Sequence, residues 1–252
     1  MRCLIGFFGL TRSLPLTAGA IGWAFLDPLR AAGFEVRAAG HFNLPETISN
    51  RRSGEDGIVP DRAEAALLGL DVSWVEPQTD DAIATEMQVL RGYTDSYGDG
   101  YRSLANLCHQ LRSLDRLWSL LSLFEPAAND IVLLLRPDLL YLDRLEPARD
   151  LAPLLAGRAD LLVPGWQCWG GLNDRFAFCS ARAARLYATR FRLLREACRE
   201  MRGLHAEHFL RFVVACHGLR IGLTGLRAVR IRADGQVARN DQPMLMRRSA
   251  AA

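Results

Sequence analysis

The sequence predicts an α/β protein: one domain, built on a mostly parallel central sheet flanked by helices. Three observations lead there. Short apolar runs alternate with stretches of helical period along the whole chain. The run IVLLL at 131–135 shows no polar alternation, so both of its faces are buried, as in a parallel sheet. The predicted strand ends are polar, reading GLTRS, GHFN, RPD and GGLNDR. Open α/β sheets bind their ligands at those ends.

The elements follow in order. Residues 3–9 are an apolar strand ending at Gly9, and 16–32 carry helical period closing at Gly33. FEVRAAGHF (34–42) and LDVSWVE (70–76) read as the second and third strands, and 80–91 as a short helix. Over 101–124, Leu104, Leu107, Leu111, Leu114, Leu117 and Leu121 recur at spacings of three and four, which makes a long amphipathic helix. After IVLLL come a helix at 147–156, strands at 159–164 and 175–180, an arginine-rich helix at 181–202 and a helix at 205–217. Two short strands, RIGLTG and LRAVRIR, lead into a polar tail. With no repeat, linker or break in composition, the domain is set at 1–245 and a flexible tail at 246–252.

Composition narrows the function. Half of the 252 residues are apolar and 23% are charged, the balance of a globular protein with a sizeable core. A net charge of +3 gives no concentrated basic face for nucleic acid. All 31 basic residues are arginine, so an anion must be held by arginine, histidine or backbone N–H. The six cysteines are scattered with no C-x-x-C pair, which suits a reducing cytosol and neither a disulfide framework nor a zinc cradle. The apolar run at the start stops at Leu10, too short for a signal peptide. No window approaches a membrane span, so the expected location is cytoplasmic, with peripheral contact at the inner membrane left open.

Five constellations carry candidate chemistry. GFFGLTRS places Gly9, Thr11, Arg12 and Ser13 between strand and helix, a seat for an anion or nucleotide; the plain alternative is a tight turn capped by Ser13. NRRSGE (50–55) offers Arg51 and Arg52 for a diphosphate, or is an ordinary charged loop. Arg136-Pro137-Asp138 ends a buried strand, where a carboxylate suits a hard cation and the arginine can supply positive charge directly. GWQCWGGLNDRFAF (165–178) combines Trp169, Gly171, Asn173, Asp174 and Arg175, the mixture of aromatic face and polar edge that a sugar ring needs. HAEHF opens a helix with His205, Glu207 and His208. Zinc is disfavoured there, because neither H-E-x-x-H nor P-C-x-x-C is present. Glu207 is either a catalytic base or an acid placed by the helix dipole.

Taken in order, these pieces resemble a nucleotide-sugar glycosyltransferase of the GT-A fold. More closely, they resemble bacterial and viral-type glycosyltransferase-like proteins with a G-L-T-R-S opening, an N-R-R-S-G-E-like loop, an R-P-D strand end, an N-D-R-F segment and an acid-led helix before R-I-R-x-D-G. The corresponding positions here are Gly9 to Ser13, Asn50 to Glu55, Arg136 to Asp138, Asn173 to Phe176, Glu207 and Arg230 to Gly235. The resemblance implies transfer of a sugar from a nucleoside diphosphate to a glycan or glycolipid hydroxyl, in bacterial polysaccharide or other surface-glycan synthesis. It puts Gly9, Thr11, Arg12, Ser13, Arg51 and Arg136 on the nucleotide. Trp169, Gly171, Asn173 and Arg175 fall near donor sugar and acceptor; Glu207 or Asp174 is the general base on the acceptor hydroxyl if transfer inverts the anomeric centre, and neither need be a base if it retains. GT-A enzymes commonly end the central strand in Asp-x-Asp, which binds Mn²⁺ or Mg²⁺. Arg136 stands here in place of the first acid, so only Asp138 carries over as a metal ligand.

The competing readings are a sulfotransferase, a nucleotidyltransferase and an inactive carbohydrate- or nucleotide-binding module. A sulfotransferase would show a better phosphate loop and a well-placed histidine, and a nucleotidyltransferase a glycine-rich loop with lysine.

Overall fold

The structure is a computed structural model and describes residues 1–50 and 54–246. The strands are β1 (Arg2–Gly9), β2 (Glu35–Leu44), β3 (Ile48–Asn50), β4 (Glu55–Ile58), β5 (Val72–Pro77), β6 (Ile131–Leu135), β7 (Leu139–Tyr141), β8 (Leu161–Pro164), β9 (Phe176–Ser180), β10 (Ile221–Thr224) and β11 (Ala228–Arg230). The helices are α1 (Leu14–Ile21), α2 (Asp27–Ala31), α3 (Ala84–Leu90), α4 (Arg102–Leu121), α5 (Pro147–Asp150), α6 (Ala152–Leu155), α7 (Ala181–Ala188), α8 (Leu194–Met201), α9 (Ala206–His217) and α10 (Gln242–Met246).

Seven strands form the central sheet in the order β5-β2-β1-β6-β9-β8-β10. Every neighbouring pair is parallel except those of β9, which runs antiparallel to both β6 and β8. The sheet is therefore mixed but mostly parallel, with helices on both faces. β6 shows why its sequence lacks alternation. Ile131, Leu133 and Leu135 pack on the face covered by α1 and α2, and Val132 and Leu134 on the face covered by α4 and α7. Each such side chain contributes about 1.5–3 kcal/mol by leaving water.

The leucine stripe of α4 is shared between two layers. Leu114, Leu117 and Leu121 lie on the sheet, while Leu104, Leu107 and Leu111 pack with α3, α8 and α9 in a third cluster. Gly6 on β1 lets the helix approach, since a Cβ there would stand 2.7 Å from Leu117 Cδ2.

The predicted helix at 16–32 is α1 and α2 joined through a π-helical turn at Gly22–Leu26. Pro28 is the cause: it has no N–H for the Ala24 carbonyl, which instead accepts from Leu145 N–H at 3.0 Å. The helix expected at 181–202 is broken by a 3₁₀ stretch at Thr189–Leu193. LRAVRIR does not extend the central sheet. Its core is β11, which pairs antiparallel with β7, a three-residue strand that the periodicity did not reveal. This small ribbon brings the C-terminal segment back across the carboxyl end of β6. Of the tail expected at 246–252, Met246 closes α10 and 247–252 lie outside the described residues.

Candidate functional site

The carboxyl ends of β1, β2 and β6, the loop before β9, the start of α9 and the segment after β11 border one open cleft of about 1160 Å³. That exceeds the roughly 300–1,000 Å³ typical of small-molecule sites, which leaves room for two substrates.

One side of the cleft is an arginine wall. β1 ends at Gly9, whose φ of +103° turns the chain and whose N–H donates to Ser113 Oγ at 2.9 Å. The turn aims Arg12 across the end of β6. There Asp138 accepts from Arg12 Nη2 at 2.7 Å, and from Arg136 through Nε at 2.9 Å and Nη2 at 2.7 Å. Asp138 is only 2% exposed. Burial alone would raise its pKa, but the Arg136 and Arg12 guanidinia hold it well below the usual carboxylate range. Arg12 also spans Glu55, with both oxygens at 3.3 Å, and Arg232 approaches Glu55 at 3.6 Å. Buried Asp241 takes a two-pronged contact from Arg230, at 2.9 and 3.1 Å, and a third from Arg175 Nη2 at 2.9 Å.

Five guanidinia are thus braced on three carboxylates, with two positive charges in surplus. The crowding is visible in their acidity. Burial and the neighbouring Arg230 lower Arg175 to about 10, and burial with Arg12 and Arg230 lowers Arg232 to about 10. Arg12 Nε, Arg175 Nη1 and Arg232 Nε are buried donors with no hydrogen-bond partner. Those atoms are shielded from the cleft, so it is the surplus guanidinium charge that favours an anion there.

Those contacts do not fit a divalent cation. Mg²⁺ or Mn²⁺ needs carboxylate oxygens free to coordinate, and both oxygens of Asp138 already accept guanidinium N–H groups. Among the described residues, no group of three or more His, Cys, Asp or Glu side chains is placed to hold a metal ion. In this arrangement Asp138 is the shared counter-ion that orients Arg12 and Arg136.

The other side of the cleft is acidic and more loosely tied. Asp174 sits just before β9, 6% exposed, with Gln110 Nε2 at 3.4 Å and Arg190 Nη2 at 3.5 Å, both long contacts to Oδ2. Burial and the charge of Glu207 raise its pKa, against the pull of Arg190, Arg136 and Arg175. Gln110 links the two sides, since its Oε1 accepts from Arg136 Nη1 at 2.8 Å. Glu207 lies in the first turn of α9, and its Oε2 is 3.1 Å from His205 Nδ1. His205 stacks on Tyr97, ring centroids 5.3 Å apart. Trp169 lines the cleft at 58% exposure, on a backbone with φ of +45°. A non-glycine residue held there is strained, as loops that present a side chain to a ligand often are.

Of the residues singled out in the sequence, Gly9, Arg12, Arg136, Asp138, Trp169, Asp174, Arg175 and Glu207 all line this cleft. Four do not. Thr11 and Ser13 are buried, and the Ser13 hydroxyl donates to Ile231 O at 3.2 Å instead of capping α1. Asn173 is spent on local structure, donating to Trp166 O at 2.6 Å and accepting from Arg175 N–H at 3.0 Å. Gly171 packs on α9, where a Cβ would stand 2.2 Å from the Glu207 carbonyl. Arg51, expected on the nucleotide, lies outside the described residues.

Sequence reasoning singled out neither Gln110, Tyr97 nor Asp241, weighed His205 only as a zinc ligand, and named Arg230 and Arg232 only as part of a motif. The R-I-R-x-D-G segment was visible as a motif, but nothing local says that it crosses to Glu55 and Asp138. His41 sits on β2. It is fully buried with Nδ1 3.0 Å from Ser113 Oγ, and burial lowers it to about 4, so it is a neutral structural group.

No family model matches the chain, and no curated protein matches it in sequence. Among solved structures, mouse xyloside xylosyltransferase 1 is similar over 89% of this chain and 85% of its own, at 15% identity and a TM-score of 0.41. An active-site mutant of LgtC is similar over 88% of this chain and 72% of its own, at 14% identity and a TM-score of 0.44. A putative glucose-1-phosphate thymidylyltransferase from Bacillus anthracis is similar over 100% and 97%, at 8% identity and a TM-score of 0.42. Likeness at this level carries no argument about activity.

Proposed function

We propose that the protein is a glycosyltransferase that moves a sugar from a nucleoside-diphosphate donor to an acceptor hydroxyl without a bound metal. The observation that carries this reading is the arginine wall: Arg12, Arg136, Arg175, Arg230 and Arg232 braced on Asp138, Glu55 and Asp241 beside a cleft large enough for two substrates.

A departing nucleoside diphosphate gains negative charge as the glycosidic bond breaks. Fixed donors aimed at that charge lower the barrier without reorganising, which is the work otherwise done by a divalent ion. Guanidinium forks suit phosphate oxygens, and the carboxylates behind them hold the forks in place. The donor sugar then reaches Asp174 through the bridge that Gln110 makes from Arg136. The acceptor enters beside Trp169 and the start of α9, where an exposed indole face suits the C–H face of a sugar ring. A glycan or glycolipid acceptor, hexosyl transfer and a place in surface-glycan synthesis belong to the same proposal, supported by the ordered motifs. So does action at a membrane surface, although no helix among the described residues is long and apolar enough to cross a membrane.

Incubation with UDP-glucose, UDP-galactose and GDP-mannose, followed by chromatography of the nucleotide, tests the reading. Release of UDP or GDP in the presence of EDTA is the expected result. Failure both to bind and to cleave any of these donors would count against it.

A further inference from the structure

The helical layer on the α4 side of the sheet carries charge that the fold does not use. Residues 181–202 hold seven arginines against two glutamates, a surplus larger than the net charge of +3 on the whole chain. The rest of the chain is therefore net negative, and the positive charge is gathered on α7, the 3₁₀ stretch and α8. Two of the seven arginines are paired. Arg190 is buried with Asp174 at 3.5 Å, and Arg192 meets Asp115 at 2.9 Å. Arg182, Arg185, Arg195, Arg199 and Arg202 are exposed, and among the described residues none of these five forms an ion pair. Arg182 reaches only a backbone group, His217 O at 3.4 Å.

The helical period of α8 explains the exposure. Leu194, Ala197 and Cys198 face the third core cluster, which turns Arg195, Glu196, Arg199 and Glu200 to solvent. Local electrostatics does not explain the choice of arginine. Arg182 and Arg195 stand in the first turns of α7 and α8, where the helix dipole disfavours a cation. Exposed charges of this kind also add little to stability. The face continues onto α9, which packs against α7 and α8 and presents Arg211 one turn after Glu207. Arg211 Nη1 donates to Gly170 O at 3.0 Å, beside the exposed Trp169. The basic face thus ends at the rim of the cleft.

A positive surface without internal partners suits an anionic partner. The two glutamates narrow the choice. A nucleic acid brings phosphates at fixed spacing and would set some of them against Glu196 and Glu200. In a fluid bilayer, anionic lipids gather at each arginine while neutral ones lie over the glutamates, and guanidinium forks suit lipid phosphates. Trp169 adds an indole of the kind that settles at a headgroup boundary.

We propose that the outward face of α7, α8 and α9 docks the protein on an anionic phospholipid bilayer. The face lies outside the cleft, so this goes beyond the transferase reading and does not depend on it. Docked in this way, the α9 side of the cleft lies next to the bilayer, where a lipid-linked hydroxyl would present itself.

The test is co-sedimentation of the full chain with vesicles of phosphatidylcholine alone and of phosphatidylcholine mixed with phosphatidylglycerol. Binding to the mixed vesicles only, lost as salt is raised, is the expected result. Arg195→Gln should lower the partition coefficient about fivefold, and the combination Arg185→Gln, Arg195→Gln, Arg199→Gln and Arg202→Gln about a hundredfold or more. Arg30→Gln, exposed on α2 over the opposite side of the sheet, should change nothing. Circular dichroism qualifies each variant, and the single Arg195→Gln decides the matter if the combined one fails to fold. Equal binding to both vesicles, binding to neither, or variants that bind like the wild type would overturn the proposal. An equal loss in Arg30→Gln would also overturn it, by tracing the effect to net charge. So would RNA that displaces the vesicles at equal phosphate concentration, since the face would then be a nucleic-acid surface. None of these outcomes touches the transferase reading, which donor cleavage without vesicles tests separately.

Discussion

The two sides of the cleft use the same residue types to opposite effect. On the arginine wall, Asp138 takes three guanidinium N–H contacts of 2.7–2.9 Å and its pKa is driven down. Opposite it, Asp174 is also buried, but its cationic contact is a single one of 3.5 Å to Arg190, and with Glu207 nearby its pKa is driven up. Burial penalises both carboxylates, and the number and closeness of their arginines decide which way each one moves. A carboxylate locked in its charged form serves as scaffold. One held by a single long contact is left nearer to neutrality.

Removing the scaffold charge should break the contrast most severely. Asp138→Asn leaves Arg12 and Arg136 facing each other in a buried wall, and should destabilise the fold by about 3–5 kcal/mol in denaturant unfolding. Because the folded pKa is depressed, the stability that Asp138 contributes is present above the unfolded value near 3.9 and is lost only as pH falls through the folded one. Asp138→Asn should therefore flatten the acid limb of the unfolding curve. A change under 0.5 kcal/mol would mean that Asp138 is not the wall's brace.

The next effect is on binding, with the fold kept. Arg232→Met removes one crowded cation whose Nε has no partner. It should weaken UDP or GDP binding tenfold to a hundredfold by calorimetry, about 1.5–3 kcal/mol for a charged hydrogen bond. Unchanged affinity would take Arg232 out of the anion site.

A smaller loss is expected where the Trp169 loop meets α9. Gly171→Ala drives a Cβ to 2.2 Å of the Glu207 carbonyl, which cannot yield cheaply. The cost should be about 1–3 kcal/mol of stability, the usual range for overpacking. Turnover should fall more than nucleotide binding, because the shift falls on the acidic side alone.

The subtlest effect sharpens the comparison directly. Glu207→Gln removes one of the two causes that raise Asp174, so the Asp174 carboxyl should titrate at lower pH by carbon-13 NMR. No movement would show that burial alone sets it.

The sequence made the sheet legible because burial on both faces leaves a direct trace, as in IVLLL, and polar strand ends stand out against such runs. Eight of the expected site residues line one cleft for the same reason, since strand ends converge. Hydrogen-bond partners were hidden where a backbone group decides the matter. Ser13 looks like a cap but reaches Ile231, 218 residues away. Asn173, expected near the donor sugar, also ties its own loop through Trp166 O and Arg175 N–H. The wall itself was hidden, because Arg230, Arg232 and Asp241 meet Glu55 and Arg175 only through the β7–β11 ribbon. No local period announces a three-residue strand.

The measurement that bears most directly on the central claim is calorimetric titration of UDP, GDP and CDP into the protein, once with EDTA and once with Mn²⁺. Binding of one nucleotide in EDTA, with no gain from Mn²⁺, is the result predicted for an arginine wall that does the work of a metal. Binding that appears only with Mn²⁺ would contradict it, because Asp138 would then have to release its arginines to coordinate the ion.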